Sequence, residues 1–361
     1  MASSLEKDAR AFGAALALAI EPLRGFLEQV AALRRHALSP RHARAKTQWW
    51  MFVATRSGVE TSMRHCMMGA GLALAAVGIS ATPVLAWGQE GHAIVAEIAQ
   101  RHLAPQARIR IGRILGPGVS LASIATWADD VRNARPNTYN WHFVDMHRND
   151  DHFDEKRDCP LDPKRGDCII KAIDRNRQQL SSPRTSTANK REALKFLVHF
   201  IGDLHQPLHT VLENAGGTLV SVRFFKNPTK EKVATKLHFV WDSGLIQRCV
   251  WNWSAYLVHL QNEWLATKPL KDSARGSVIV WAEEAHHAAQ LPLFSVDENA
   301  DLGDDYVKAA LPILDRQLAL AGLRLARVLN EEFGAVARPY RPIGPESRPT
   351  ASVDGWFCKD L

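Results

Sequence analysis

Two histidine–aspartate pairs with four-residue spacing are the clearest chemical signal in this sequence. The first is His199 and Asp203, within the apolar stretch 196–209. A helix advances about 100° per residue, so residues four apart lie on one face and can share a metal ion. Pro207 cannot continue that helix, and His209 should therefore leave at a new angle and serve a different ion. A cation would offset the desolvation of this histidine-rich run; the alternative is that one or two of the histidines are hydrogen-bonded core residues.

The second pair, His238 and Asp242, repeats the spacing and raises the number of ligands above what one zinc ion needs. Three further candidates lie in apolar sequence: His92, Asp129 and His142. On spacing alone, Asp130 is as good a ligand as Asp129. The set contains no cysteine, and imidazole nitrogens with carboxylate oxygens suit zinc. We therefore predict a cluster of zinc ions with a catalytic role, because incomplete ligand sets leave positions for water and substrate.

Taken in their order along the chain, the candidate ligands and their neighbours form motifs that resemble those of the zinc-dependent single-strand-specific nucleases of fungi, plants and bacteria. The resemblance covers residues 87 to about 335. The matching segments are Trp87-Gly88, Gly91-His92, residues 124–129, Trp141-His142-Phe143-Val144-Asp145, residues 199–209, and His238 with Asp242. The resemblance implies a mainly α fold, a single-domain helical bundle of the zinc phospholipase C and single-strand nuclease type, with three Zn²⁺ ions in a cleft.

By this resemblance, three zinc ions share nine residues. One ion would take Asp129, His142, His199 and Asp203. A second would take His92, Asp203 as a bridge, and the amino and carbonyl groups of Trp87. The third would take His209, His238 and Asp242. A backbone amine binds zinc only when it is free and deprotonated, so Trp87 can serve only once it is the N-terminal residue.

The resemblance also implies the reaction. A zinc-activated hydroxide would attack the phosphorus of single-stranded DNA and RNA and leave 5′-phosphorylated products, and 3′-mononucleotides would be dephosphorylated. Asp145 would orient the water and Arg132 would stabilise charge on the phosphate, with a surface ion pair as the alternative for both. Phe143 would stack a base, with a place in the core as the alternative. No stable protein partner is implied.

Other features stand apart from the family's pattern. Thr218 follows Gly217 where the family usually has asparagine, which leaves the local contacts to substrate open. Residues 226–236 are more basic than expected and would either hold a phosphate backbone or, as we favour, be solvated. His205 lies about 240° around the helix from His199 and should face away. The remaining histidines are interpreted as ordinary surface or core residues: His102, His147, His152, His259, His286 and His287.

Two alternative functions follow from the same residues. Bacterial zinc phospholipases C share the trinuclear pattern and an N-terminal tryptophan ligand, so a phosphodiesterase for lipid headgroups is the nearest alternative. The segments Trp127-Ala128-Asp129 and 141–145 look more like those of the nucleases. The other alternative is a secreted zinc-binding protein without turnover, which the departure at Thr218 motivates.

The secondary-structure elements that must position these residues are predicted to be helices in nearly all of the chain after residue 87. Apolar residues recur at helical spacing over residues 91–103, 107–115, 121–131, 169–180, 188–204, 240–265, 272–290 and 306–333. Residues 219–225 and 233–239 predict one small β-hairpin. Cys159 and Cys168 bracket a polar loop of the kind that a local disulfide closes. Cys249 and Cys358 either pair with each other or remain free thiols.

Composition and the pattern of the N-terminal residues indicate the size of the core, the net charge of the domain and the presence of a signal peptide. The 361 residues are 46% apolar, enough for a sizeable core, and their net charge of +7 falls to +2 for residues 87–361. Overall basicity is therefore a weak argument for nucleic-acid binding. Residues 63–86 have the charged, apolar and small-residue regions of a signal peptide, with cleavage expected after Ala86.

This pattern predicts a secreted or periplasmic protein with no membrane attachment after cleavage; the alternative is a long leader or a retained anchor. We interpret residues 1–62 as a wrongly assigned or dispensable extension, with Met63 or Met51 as the true start. Residues 87–335 are the predicted nuclease domain, and residues 336–361 are a Pro/Arg-rich tail.

Overall fold

The computed structural model describes residues 87–226, 229–250, 252–266, 270–334 and 358, and it is built mainly from α-helices. This confirms the predicted fold class. The predicted extension 1–62, the signal peptide 63–86 and the tail 336–361, apart from Cys358, lie outside the described residues. Within the described part of the chain, no helix combines the length and the apolarity that a membrane crossing requires.

The secondary structure alternates long helices with short helical turns. The helices are α1 (Gln89–Arg101), α2 (Pro105–Leu115), α3 (Trp127–Arg132), α4 (Glu155–Asp158), α5 (Ile169–Ser181), α6 (Thr187–Asp203), α7 (Leu237–Phe239), α8 (Leu245–Cys249), α9 (Trp253–Leu260), α10 (Leu270–Ser273), α11 (Val278–Ala289) and α12 (Asp304–Phe333). Short 3₁₀ turns cover Ala122–Ile124, Pro136–His142, Pro207–Thr210 and Pro292–Phe294, and wider π-helical turns cover Val240–Gly244 and Gln261–Leu265. The strands are β1 (Ser221–Phe225), β2 (Lys232–Lys236) and β3 (Ala300–Asp301).

Helix α6 is the central element, because it packs against α1, α5 and α12. Ser186 caps its start by accepting a hydrogen bond from the backbone N–H of Asn189 at 3.2 Å. Its last eight residues, from Phe196 to Asp203, are all buried. The chain then leaves in the 3₁₀ turn Pro207–Thr210, as the proline predicted. A polar pair on the last turn of α6 is thus enclosed by protein on every side.

Close packing of α1 and α12 depends on Gly322. A Cβ atom at this position would lie 2.5 Å from the Cβ of Ile98 and 3.2 Å from the carbonyl oxygen of Val95. The two helices therefore approach more closely than any side chain at residue 322 would permit. This contact holds α1, which starts beside the candidate ligands, against the longest helix of the structure.

Two predicted helices are wrong in extent, because each is broken by a local signal. The predicted helix 240–265 is interrupted after Cys249, and Asn252 starts α9 by accepting a hydrogen bond from Ala255 N at 3.2 Å. The predicted helix 272–290 is interrupted at Gly276, whose φ of +108° lies outside the helical region.

The predicted hairpin is a three-stranded sheet in the order β2-β1-β3. Strands β1 and β2 are antiparallel, with Arg223 opposite Ala234. The second strand ends at Lys236 instead of residue 239, because Leu237 begins the helical segment of His238. Strand β3 is parallel to β1 and has only two residues, too few to leave a recognisable sequence pattern.

Two disulfides connect the described residues. Cys159 joins Cys168 across the predicted loop, and Cys249 joins Cys358 over a separation of 109 residues. The first loop docks on the turn Pro136–His142, where the backbone N–H of Asn140 donates to the Arg165 carbonyl at 2.9 Å. The pairing of Cys249 with Cys358 resolves the alternative that the sequence left open.

Two glycine-to-alanine changes in helices should shift stability in opposite directions. Gly322→Ala should lower the free energy of unfolding by about 1–3 kcal/mol, because the new methyl group collides with Ile98. Gly112→Ala in α2 is the matched control: its Cβ would meet nothing within 4 Å, so it should raise stability by about 0.5–1 kcal/mol. Urea unfolding followed by circular dichroism measures both, and stabilisation by both changes would contradict this account of the α1–α12 contact.

Candidate metal centre

The centre is built around Asp203, the last residue of α6, whose two carboxylate oxygens face different partners. Oδ1 lies 3.1 Å from Nε2 of His92 on α1. Oδ2 lies 3.0 Å from Nδ1 of His142 and 3.1 Å from Nε2 of His199. Asp203 and His199 are fully buried, and the other two rings are about 1% exposed. One carboxylate therefore connects two sets of nitrogen atoms, as the predicted bridging role requires.

Asp129 completes this side of the centre from helix α3. Its Oδ1 lies 3.5 Å from both His142 Nδ1 and His199 Nε2. The rings of His92 and His199 are stacked with centroids 3.9 Å apart. The neighbouring Asp130 is exposed. The structure thus separates two aspartates that spacing alone could not, and places Asp129 among the candidate ligands.

A third group of ligand atoms comes from His209, His238 and Asp242. The Nε2 atoms of the two histidines are 3.1 Å apart, and Oδ2 of Asp242 lies 3.3 Å from Nε2 of His238. The other oxygen of Asp242 accepts a hydrogen bond from the side-chain amide of Gln206 at 2.6 Å. All three candidate ligands are buried.

The eight predicted side-chain ligands therefore converge in three groups, in each of which the ligand atoms lie within 4.8 Å of one another, and the first two groups share His199. These groups are His92, Asp129 and His199; His142, His199 and Asp203; and His209, His238 and Asp242.

Backbone carbonyls fix the orientation of three of the rings. Each Nδ1 faces a carbonyl oxygen: His199 faces Ala125 at 2.7 Å, His209 faces His142 at 2.7 Å, and His238 faces Gly216 at 2.6 Å. A carbonyl oxygen can only accept, so each Nδ1 carries the hydrogen. In the neutral ring, Nε2 then presents a lone pair to the centre.

Lone pairs that face one another are a sign that a cation belongs between them. Nε2 of His209 and Nε2 of His238, at 3.1 Å, cannot form a hydrogen bond when both rings are neutral. Oδ1 of Asp129 and Oδ1 of Asp203 are buried and accept no hydrogen bond of good geometry from the described residues. Nitrogen and oxygen donors arranged in this way fit zinc.

Burial keeps most of the histidines in the form that metals bind. It lowers the pKa of His142 to about 4 and that of His238 to about 3, and it also lowers the pKa values of His92 and His209. These rings are neutral at pH 7, so a metal ion need not displace a proton from them.

His199 and Asp203 behave differently because they interact as opposite charges. Burial disfavours the imidazolium of His199, but the carboxylates of Asp203 and Asp129 hold its pKa well above the ordinary value. Burial likewise opposes ionisation of Asp203, yet His199 and the hydrogen bonds from the surrounding rings keep its pKa well below the ordinary range. A proton on His199 thus provides positive charge at the position where a metal ion would provide more.

Trp87 and the residue after it contact the segments that carry Asp203 and Asp242. It is fully buried, and its indole N–H donates to the Gly202 carbonyl at 2.8 Å. The next residue, Gly88, donates its backbone N–H to the carbonyl of Asp242 at 2.8 Å. A Cβ on Gly202 would lie 2.9 Å from Nδ1 of His92, so glycine is needed where α6 meets this ring. Trp87 is therefore anchored to the elements that carry both Asp203 and Asp242.

A left-handed turn, which the sequence reasoning missed, supports His238. Positive φ angles run through Asn214 (53°), Ala215 (48°), Gly216 (60°) and Gly217 (79°). Gly216 supplies the carbonyl that faces His238, and a Cβ there would be 2.3 Å from the Leu208 carbonyl. The sequence shows the Gly-Gly pair, but the contact of the Gly216 carbonyl with His238 joins residues that are 22 positions apart and leaves no local pattern.

Asp145 follows His142 on an extended segment that pairs with the chain after His209. The backbone N–H of Val144 donates to the His209 carbonyl at 2.9 Å, and Met146 bridges to Val211. Asp145 is half-buried and lies outside the three ligand groups. Burial, with the charge of Asp158 as a smaller cause, raises its pKa to about 6.

Arg132 and Phe143 both contact the ring of Tyr139. The Arg132 guanidinium is buried, donates to the Tyr139 carbonyl at 3.2 Å and sits 3.9 Å from the centre of its ring. Its charge reaches the third group, where it contributes to the lowered pKa values of His209 and His238. Phe143 is half-buried and meets the Tyr139 ring edge-on at 6.2 Å.

Three residues that the sequence analysis did not assign as metal ligands, His205, His286 and Thr218, have different structural roles. His205 faces away from the centre, as predicted: its Nε2 accepts from Arg324 at 2.9 Å. His286 is fully buried, with ring nitrogens 2.7 Å from the Thr210 carbonyl and 3.1 Å from the His147 carbonyl, so it joins the two segments beside the centre. Thr218 ends the left-handed turn by donating its backbone N–H to the Ala215 carbonyl at 3.2 Å.

Two lysines of the basic segment 226–236 have partners on the protein. Lys232 pairs with Asp301 at 2.5 Å, and Lys236 donates to Ser221 at 2.9 Å. These contacts give both side chains a structural role in the sheet.

Comparison with known proteins places these observations in context. A family model described as S1/P1 Nuclease matches residues 87–334. The chain is similar to Nuclease P1 of Penicillium citrinum, with 31% identity over 287 residues that cover 69% of this chain and 98% of that protein. It is similar to Endonuclease 4 of Arabidopsis thaliana, with 30% identity over 278 residues and coverage of 70% and 90%. It is also similar to Nuclease S1 of Aspergillus oryzae, with 30% identity over 273 residues and coverage of 68% and 91%.

Adjacent aspartates provide a matched test of the centre. Asp129→Asn should reduce bound zinc, since a neutral amide replaces a buried charged oxygen that faces His142 and His199. We expect zinc affinity to fall by at least about tenfold, measured by mass spectrometry of metals after dialysis against a chelator. Asp130→Asn, one residue away and exposed, should bind zinc like the unchanged protein. Equal zinc loss in both variants would contradict the assignment.

Proposed function

Because the chain belongs to the S1/P1 nuclease family, we propose that it is a zinc-dependent enzyme that hydrolyses single-stranded DNA and RNA to 5′-phosphorylated products and also dephosphorylates 3′-mononucleotides. Members of this family are nucleases, hydrolases that cleave phosphodiester bonds in nucleic acids. The observation that most supports the proposal is the convergence of eight histidines and aspartates in three groups; the first two share His199, and both contain a ring that contacts Asp203.

We assign three Zn²⁺ ions to these residues, divided among them as the resemblance to the family implies. The first would be held by Asp129, His142, His199 and Asp203. The second would be held by His92, Asp203 and the amino and carbonyl groups of Trp87. The third would be held by His209, His238 and Asp242. When bound, zinc ions at such a centre lower the pKa of water and stabilise negative charge on a phosphate.

Asp145 is the proposed water-orienting carboxylate. Its pKa of about 6 leaves it mostly ionised at pH 7, so it can accept a hydrogen bond from the attacking water. The pairing of its segment with residues after His209 fixes its backbone relative to the third group. A carboxylate near its own pKa at the working pH is well suited to hold a proton during the reaction and release it afterwards.

Arg132 and Phe143 are the proposed substrate contacts. The guanidinium of Arg132 is held by the carbonyl and ring of Tyr139, so it can meet a phosphate oxygen without first losing conformational freedom. Phe143 is only half-buried, and we assign it the stacking contact with a base. Because a base in a duplex already stacks on its neighbours, a stacking contact of this kind favours single strands.

The proposed location is outside the cytoplasm, secreted or periplasmic, after cleavage following Ala86. Two disulfides among the described residues support an oxidising environment. Cleavage would also make Trp87 the N-terminal residue, so maturation and assembly of the second zinc site would be a single event.

Substrate competition tests the proposal. The mature protein should hydrolyse denatured DNA and RNA much faster than duplex DNA, and should leave phosphatidylcholine intact. Turnover of the lipid alone would support a phospholipase C, and full zinc content without hydrolysis of any phosphodiester would support a zinc-binding protein without turnover. Either result would overturn the proposed function.

Replacement of Asp145 should lower activity and raise stability together. Asp145→Asn removes a proton-accepting oxygen and should lower kcat by about 10²-fold or more on single-stranded DNA. Ionisation of a carboxyl with a raised pKa destabilises the fold, and this cost grows as pH rises from about 4, the ordinary aspartate value, to about 6.

The metal-free variant should therefore be more stable than the metal-free parent at pH 7, by about 1 kcal/mol after allowance for the partial exposure of the site. The difference should vanish near pH 4. Urea unfolding at the two pH values measures it, and a variant that is less stable at pH 7 would show that the Asp145 carboxylate supports the fold.

The role of the N-terminal amine can be tested with two chain starts. A protein that begins at Trp87 should bind more zinc and be more active than one that begins at Ala86, because a peptide bond removes the amine ligand. Both forms are produced from a cleavable fusion and compared by metal content and circular dichroism. Equal zinc content in two equally folded forms would rule out coordination by the amine.

A further inference from the structure

The side chain of Gln206 is held by hydrogen bonds to Asp242 and to the backbone of Leu208, and its own backbone contacts Asp203. It is fully buried, three residues after Asp203, and its backbone N–H donates to the Asp203 carbonyl at 2.9 Å. Its Oε1 accepts a hydrogen bond from the backbone N–H of Leu208 at 2.7 Å. A backbone N–H can only donate, so the orientation of the amide is determined, and its NH₂ group must face Asp242.

The contact with Gln206 divides the two oxygens of Asp242 between different tasks. Oδ1 accepts the amide hydrogen at 2.6 Å, whereas Oδ2 faces Nε2 of His238 at 3.3 Å. The first contact stops rotation of the carboxylate and leaves the second oxygen directed at the other ligands. The side chain of Asp242 is thereby oriented before any cation arrives.

Asp242 requires such support because it lies in an irregular segment. The turn Val240–Gly244 is π-helical, wider than an α-helix, and a regular α-helical hydrogen-bond pattern does not fix it. Its backbone is held from one direction by Gly88, which donates to the Asp242 carbonyl at 2.8 Å. The side chain is held from another direction by Gln206.

We propose that Gln206 is a positioning residue for the third zinc ion, which it serves by orienting Asp242 and by fixing this carboxylate relative to Asp203. This inference rests on the proposed zinc centre and adds a residue to it that binds no ion itself. Hydrogen-bond partners of metal ligands commonly contribute a factor of 10–100 in metal affinity.

Release of zinc to a chelator tests the inference. In Gln206→Met, which keeps the volume and removes both hydrogen bonds, one of the three ions should leave at about 10–100-fold lower chelator concentration. The other two should be retained as in the unchanged protein. Gln317→Met is the matched control, because Gln317 is a buried glutamine on α12 outside the three ligand groups. It should release all three ions like the unchanged protein.

A merely structural role for Gln206 predicts a different result. Loss of general packing would loosen all three ions together, and that outcome, or unchanged release of every ion, would overturn the proposal. Asp242→Asn provides a second readout: if Gln206 acts through Asp242, then adding Gln206→Met to Asp242→Asn should cause little further loss of zinc. Additive losses would contradict this route.

Two further points keep the test decisive. If Gln206→Met does not fold, Gln206→Leu serves in its place, since its shorter apolar side chain also removes both the acceptor for Leu208 and the donor to Asp242. Zinc release is measured independently of nuclease activity. An unchanged protein that binds three ions but cleaves no nucleic acid would refute the proposed function alone, whereas selective release that fails to appear would refute the role of Gln206 alone.

Discussion

The attraction between the buried Asp203 carboxylate and the rings around it is the interaction on which this structure depends. One oxygen faces His92 and the other faces His142 and His199, and all of these groups are buried. Polar groups buried in this way raise the free energy of the fold unless positive charge is shared among them. The helices around α6 therefore enclose a set of donors that is complete only with cations.

The surrounding fold can be understood as support for these donors. Helix α6 ends where Asp203 is required, and the turn that starts at Pro207 redirects His209 toward the third group. Helices α1 and α12 hold His92 in place through a contact that only glycine at position 322 permits. Backbone carbonyls fix the outward nitrogens of three histidines, so that Nε2 faces inward in each. Orientation is thus supplied largely by the main chain, which substitutions alter least.

The sequence was sufficient for the parts of the site that depend on local spacing. Residues four apart on a helix must share a face, so the pairs His199–Asp203 and His238–Asp242 could be predicted. Asp129 could be separated from Asp130 only by family pattern, because exposure depends on how α3 packs. The support from Gly216, His286 and Gln206 was not predictable, since each acts on residues distant in the chain. The Cys249–Cys358 pair was left open for the same reason, and strand β3 was not predicted because two residues leave no sequence pattern.

The two covalent rings closed by disulfides have one property in common. The ring from Cys249 to Cys358 contains α9 to α12, and the ring from Cys159 to Cys168 contains a surface loop, but every candidate ligand lies outside both. A ring of about 100 residues restricts the unfolded chain and stabilises the fold by roughly 4–5 kcal/mol. Reduction of the disulfides should therefore shorten the time for which the protein stays folded at high temperature. The activity of the molecules that remain folded should not change.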